Sequence, residues 1–179
     1  MLGYSIGKSL TSRLIQWFTW VGRDGPSHVM WVESGGECYE SWHKKDKKTA
    51  HNGARRGFVG DLHKIGTIIE LYAVPMVCCE HNDMVTQLDI MVDQVRKYDW
   101  TGAIFGFLLR SNAANNKWKL FCSEMILRGF KLIDYTFIQN TEPNQGSPGM
   151  MYRMTRQKKV GEYVVGDEWV CPKLPKGYA

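Results

Sequence analysis

Cys122 stands in the stretch WKLFCSEMILRGF, where an apolar stripe begins. A cysteine in the first turn of a helix feels the positive end of the helix dipole and the unpaired N–H groups there. Both favour the thiolate, which is the nucleophilic form. The same amides can receive an oxyanion developing on an attacked carbonyl. A second reading stays open at this point. Cys122, Met125, Ile126, Gly129, Phe130 and Ile133 share one face of the expected helix, and a cysteine on such a stripe can be a small core residue.

A thiol nucleophile needs a base, and His28 opens the short apolar run 27–33. Residues 37–43 read as the returning strand, with Ser34-Gly35-Gly36 as the turn. A loop centred on Ser34 puts Glu40 directly across from His28. The carboxylate could then hold one ring nitrogen and leave the other for the thiol. A tight Gly35-Gly36 turn instead puts His43 across from His28. A strand-end histidine bonded to backbone would also account for His28.

These residues must be positioned by the surrounding elements. Residues 9–21 have helical apolar spacing, with Ser9 or Thr11 as cap. The expected place of this helix is on the core; an amphipathic surface helix is the alternative, supported by Lys8 and Arg13 alone. Residues 66–75 read as a strand closed by Pro75. A helix capped by Asn82 should follow, with an apolar stripe from 84 to 95 and an Asp93–Lys97 pair. Residues 100–109 read as a buried helix, and 119–133 as another with Cys122 in its first turn. Residues 140–149 read as a loop, and 150–156 and 160–171 as late strands. Residues 44–57 carry four Lys and two Arg against one Asp. They read as an exposed loop that could meet an anionic partner, and with no aromatic interleaved they do not suggest a single-strand stacking surface.

The chain has 179 residues, 44% of them hydrophobic, which suits one domain with a real core. The net charge of +5 fits an anionic partner without requiring one. Five cysteines at irregular spacings argue against a disulfide scaffold and for reduced thiols in a cytoplasmic setting. No stretch reads as a membrane span or signal peptide. Cys78-Cys79-Glu80-His81 is a poor fit to zinc-ligand spacing, so no metal and no cofactor are expected. Nucleotide-binding glycine loops and the His-Glu-x-x-His motif are absent from the sequence.

Taken in order, Ser27-His28, an acidic residue twelve positions on, Tyr98-Asp99-x-x-Gly102 and Phe121-Cys122-Ser123-Glu124 resemble one family. This is the circularly permuted, NlpC-like branch of papain-fold cysteine hydrolases, YiiX-like and related to lecithin:retinol acyltransferase-like enzymes. The resemblance covers roughly residues 4–135. It implies an α+β, permuted papain-like fold, a small antiparallel sheet packed on helices, with the cysteine at a helix N-terminus. It implies a single domain over 1–179, with 44–57 as a basic insertion and an unmatched extension from about 140. It also implies Cys122 as nucleophile, His28 as base and Glu40 as the residue that orients it, and so favours the Glu40 register. Tyr98, Trp31 and Ser27 are expected to contact substrate. The implied reaction is amide hydrolysis in a peptide, a peptidoglycan stem or a lipid-linked substrate. Acyl transfer by the same triad is the alternative, as is a non-catalytic binding or inhibitory protein that uses the basic loop.

Overall fold

The computed structural model describes residues 1–7, 10–18, 25–43, 52–94, 97–99, 119–135, 141–154, 157–176 and 178. Over these residues the protein is α+β. Six strands form one antiparallel sheet: β1 Leu2–Ser5, β2 His28–Val32, β3 Glu37–Trp42, β4 Gly53–Phe58, β5 Ile68–Ala73 and β8 Lys158–Val164, in the order β4-β3-β2-β1-β5-β8. Two short strands, β6 Lys97–Tyr98 and β7 Lys119–Leu120, pair in parallel. The helices are α1 Leu10–Phe18, α2 Val59–Leu62, α3 Cys78–Asp93, α4 Cys122–Leu132 and α5 Pro148–Tyr152, with a 3₁₀ turn at Pro143–Gln145. Among the described residues no helix is long and apolar enough to cross a membrane.

Strand alternation divides the side chains between two cores. Leu2, Tyr4, Val29, Trp31 and Tyr39 face α3 and α4, meeting Met84, Leu88 and Met91 of the first and Met125, Ile126 and Phe130 of the second. Met30, Val32, Cys38, Ile69 and Leu71 face the other way, where Val59 of α2, Tyr163 and Val165 cover them. β2 is buried on both faces, which is why HVMWV is a continuous apolar run and not an alternating one. Gly3 lies where the strands are most crowded. A Cβ there would sit 2.8 Å from Val32 Cγ2 and 3.0 Å from Met30 Cγ.

The β2–β3 hairpin takes neither expected register. Trp31 pairs with Tyr39 and Val32 with Cys38. The Glu33 N–H bonds the Glu37 carbonyl at 2.8 Å, so the loop is 34–36 and centres on Gly35. Gly36 makes this turn, with φ 82°. A side chain there would also strike Phe58 at 2.6 Å. The ladder holds these two pairs only, so His28 is backbone-paired with neither Glu40 nor His43.

Several sequence expectations change with the fold. The segment read as a basic loop ends in β4, because Gly53–Phe58 pairs along the whole of β3. Its Arg55 and Arg56 are tied to Glu40 and to Glu37 and Asp89. Residues 44–51 lie outside the described residues, as does the helix expected at 100–109. α3 starts at Cys78, four residues before Asn82, where the Glu80 carboxylate accepts the Val77 N–H at 2.9 Å and caps the first turn. It ends at Asp93, and Lys97 is already in β6, so there is no helical pair between them. Residues 148–152 are helix and not strand: Pro148 suits the first turn and the Ser147 hydroxyl accepts the Met150 N–H. Residues 158–164 form β8, and this extension belongs to the same cores through Met151, Tyr163 and Val165. α4 begins at Cys122, with Lys119–Leu120 extended as β7.

Candidate active site

Cys122 is the first residue of α4 and is 3% exposed. The approach to it is tightly held. The Leu120 carbonyl accepts the Asp99 N–H at 3.1 Å and the Ser41 hydroxyl at 2.6 Å. Ser41 follows Glu40 in β3, so this bond ties the start of the cysteine helix to the strand that carries the carboxylate. Behind the cysteine, the Ser123 hydroxyl donates to the Gly146 carbonyl at 2.7 Å. The apolar face of α4, with Met125, Ile126 and Phe130, is buried in the core. Each such side chain stabilises the docked helix by about 1.5–3 kcal/mol relative to exposure.

His28 opens β2 and is 7% exposed. Its Nε2 meets Glu40 Oε2 at 2.5 Å, and the ring lies near enough to Cys122 for the thiol to favour its charged form. With Nε2 committed to Glu40, Nδ1 is the nitrogen left for the thiol. Burial works against an imidazolium here, but the Glu40 carboxylate and Cys122 outweigh it. The ring is pushed up from 6.5 to about 9.

Glu40 is fully buried. Burial would keep it protonated, yet the His63 and His28 imidazoles hold it well below the usual carboxylate range. Arg55, directly across the β3–β4 ladder, donates from Nε to Glu40 Oε1 at 2.8 Å and also reaches it through Nη2. Arg55 Nη2 also donates to the Leu62 carbonyl, fixing the end of α2 against β4. His63 follows α2, and its Nε2 stands 3.2 Å from Glu40 Oε2. That contact is an ion pair and not a hydrogen bond, so among the described residues the buried His63 Nε2 has no hydrogen-bond partner. The Trp42 ring stands edge-on to both imidazoles, with centroids at 4.8 Å from His28 and 5.4 Å from His63. The Arg55 guanidinium lies over the same indole.

Cys122, His28 and Glu40 are thus brought together from α4, β2 and β3. Tyr98 joins them: burial, Cys122 and Asp99, in that order, drive its hydroxyl well above the ordinary tyrosine value. The other two residues expected to contact substrate, Trp31 and Ser27, are buried. Trp31 is sealed in the core against Phe130, its Nε1 donating to Glu33. The Ser27 hydroxyl is buried and accepts the Gly7 N–H at 3.2 Å, so it secures the β1–α1 connection. Cys78 and Cys79 are both exposed on α3.

Arg55, His63, Trp42 and Ser41 were not singled out by the sequence. Arg55 sits in a run whose charges look solvated, and its one available signal is that alternation along β4 puts it on the Glu40 face. His63 sits in the polar stretch DLHKIG, which carries no pattern. Comparison with protein-family models, curated proteins and solved structures finds no match.

Proposed function

We propose that this protein is a cysteine-dependent acyl hydrolase with a permuted papain-like, NlpC-type architecture, acting on an amide bond. The observation that carries the reading is one imidazole, His28, bonded to a buried carboxylate and raised in basicity by the thiol at a helix start. The order of the elements supports it as well, since the histidine strand precedes the cysteine helix.

The chemistry follows from the groups. His28 takes the thiol proton, and Glu40, anchored by Arg55, holds the imidazolium in place. The Cys122 thiolate attacks the carbonyl carbon, and the first-turn amides of α4 stabilise the oxyanion. The carbon–nitrogen bond breaks as His28 protonates the leaving amine. Water, deprotonated by His28, then attacks the thioester, releasing a carboxylic acid and restoring the thiol. A peptide, a peptidoglycan stem or a lipid-linked amide is the substrate class the family likeness supports.

The test is the alkylation rate of each cysteine by iodoacetamide, a reagent small enough for a nearly buried thiol, from about pH 4 to about pH 9. Chelator is present throughout, and parent protein is compared with His28→Ala. The expected result is fast reaction of Cys122 below neutral pH that is lost without His28. Cys122 behaving as an ordinary thiol in both proteins would overturn the reading. Incubation of the reactive protein with acyl donors and an added amine then separates hydrolysis from transfer to the amine.

A further inference from the structure

The trio His28, Glu40 and His63 has a property that thiol chemistry does not use. His28 Nε2, Glu40 Oε2 and His63 Nε2 all lie within 4.8 Å of one another. The side chains of His63 and Glu40 are 2% and 0% exposed, and His63 Nε2 is a buried ring nitrogen with no hydrogen-bond partner among the described residues. Burying such a group without a hydrogen bond is costly, and a cation shared with the facing carboxylate oxygen would offset that cost.

We propose that these three atoms form a binding site for a divalent first-row metal ion, with zinc the best chemical match, and that the bound ion regulates the thiol site. The regulatory half of this proposal rests on the hydrolase reading; the binding half does not. Two imidazoles and one carboxylate are a common zinc donor set that leaves a fourth position for water. Metal–ligand bonds of about 2.1 Å at tetrahedral angles put neighbouring donor atoms about 3.4 Å apart. The His63–Glu40 contact, at 3.2 Å, already has that spacing. The His28–Glu40 contact, at 2.5 Å, does not. Zinc can enter only by opening that hydrogen bond, so metal binding and the His28–Glu40 pair exclude each other. Loss of the pair takes the base away from its orienting carboxylate, which is how the ion would switch the site off.

The surroundings suit the role. Arg55 occupies Glu40 Oε1 and leaves Oε2 as the one donor oxygen. Its positive charge also opposes a nearby cation, so binding should be moderate and reversible, as regulation requires. Trp42 holds the edges of both rings. Cys122 is not among the ligand atoms that lie within 4.8 Å of one another and is not expected in the coordination shell.

The experiment uses the full chain carrying Cys78→Ser and Cys79→Ser, since these exposed thiols beside His81 offer a competing site. The protein is stripped with chelator and titrated with zinc by calorimetry. One equivalent should bind, and His63→Gln should weaken binding by about 100-fold or more. X-ray absorption of the zinc-loaded parent should show imidazole and oxygen neighbours without sulfur, a readout that needs no variant to fold. Unchanged affinity in a folded His63→Gln protein, or sulfur in the shell, would overturn the proposed site. Zinc should also slow Cys122 alkylation in the parent and not in His63→Gln; equal slowing in both overturns the regulatory role. If Cys122 is unreactive in the metal-free protein, the hydrolase reading fails, while the isotherm and the absorption spectrum still decide the metal site.

Discussion

Replacing His28 by Gln should erase a pH-dependent part of the stability of this protein. In the fold the imidazole is buried beside Glu40 and Cys122 and is pushed up from 6.5 to about 9. That rise corresponds to about 3 kcal/mol of extra stability when the ring is charged. The folded value is the higher one, so the contribution is complete below pH 6.5 and is lost as pH rises through about 9. At 7% exposure the ring is little screened by solvent. The assay is urea unfolding at constant ionic strength, with chelator present, at steps from about pH 6 to about pH 10. Parent protein should lose about 3 kcal/mol more than His28→Gln across that window. Gln can still donate to Glu40, so the comparison isolates the proton and not the loss of a contact. Cys122→Ala removes one of the two partners that raise the ring and should shrink the difference. Parallel pH profiles for parent and His28→Gln would show that no charged imidazole is held here, and the thiolate–imidazolium reading would fall with it.

Three further outcomes follow from neighbouring residues. Glu124 is buried, and burial, opposed by Arg128, pushes it up to about 7; its stabilising contribution is present below its unfolded value and lost as pH rises through about 7. Glu124→Gln should therefore raise the unfolding midpoint above pH 7 and change it little near pH 4.5. Ser41→Ala removes one of two donors to the Leu120 carbonyl. It should cost about 1 kcal/mol in urea unfolding while slowing Cys122 alkylation, because the helix start is no longer tied to β3. Gly3→Ala drives a methyl to 2.8 Å from Val32 Cγ2 between two buried strands; calorimetry should show a loss of about 1–3 kcal/mol.

The chain itself determined the kinds of element and the kinds of chemistry. Apolar runs and turn residues located β2, β3 and β5, and the stripe from Cys122 to Phe130 located α4, because those signals arise from neighbours three or four residues apart. The same local chemistry marked the thiol and the imidazole as reactive types. Tertiary structure decided how they meet. The two plausible hairpin registers set partners three residues apart across from His28, through a loop that contains two glycines, and Gly36 took the left-handed turn that set a third register. Glu40 consequently reaches His28 through its side chain, beyond the two paired positions of the hairpin. Arg55 and His63 could not be read in advance, since a buried charge is recognised only by the partner that compensates it, and theirs is fifteen and twenty-three residues away on another strand. Trp31 shows the converse: its residue type suits a cleft wall, and only the packing of α4 against β2 places it in the core. Short-range periodicity is encoded in the chain, whereas pairing across a sheet and compensation of buried charge depend on contacts that exist only once the chain has folded.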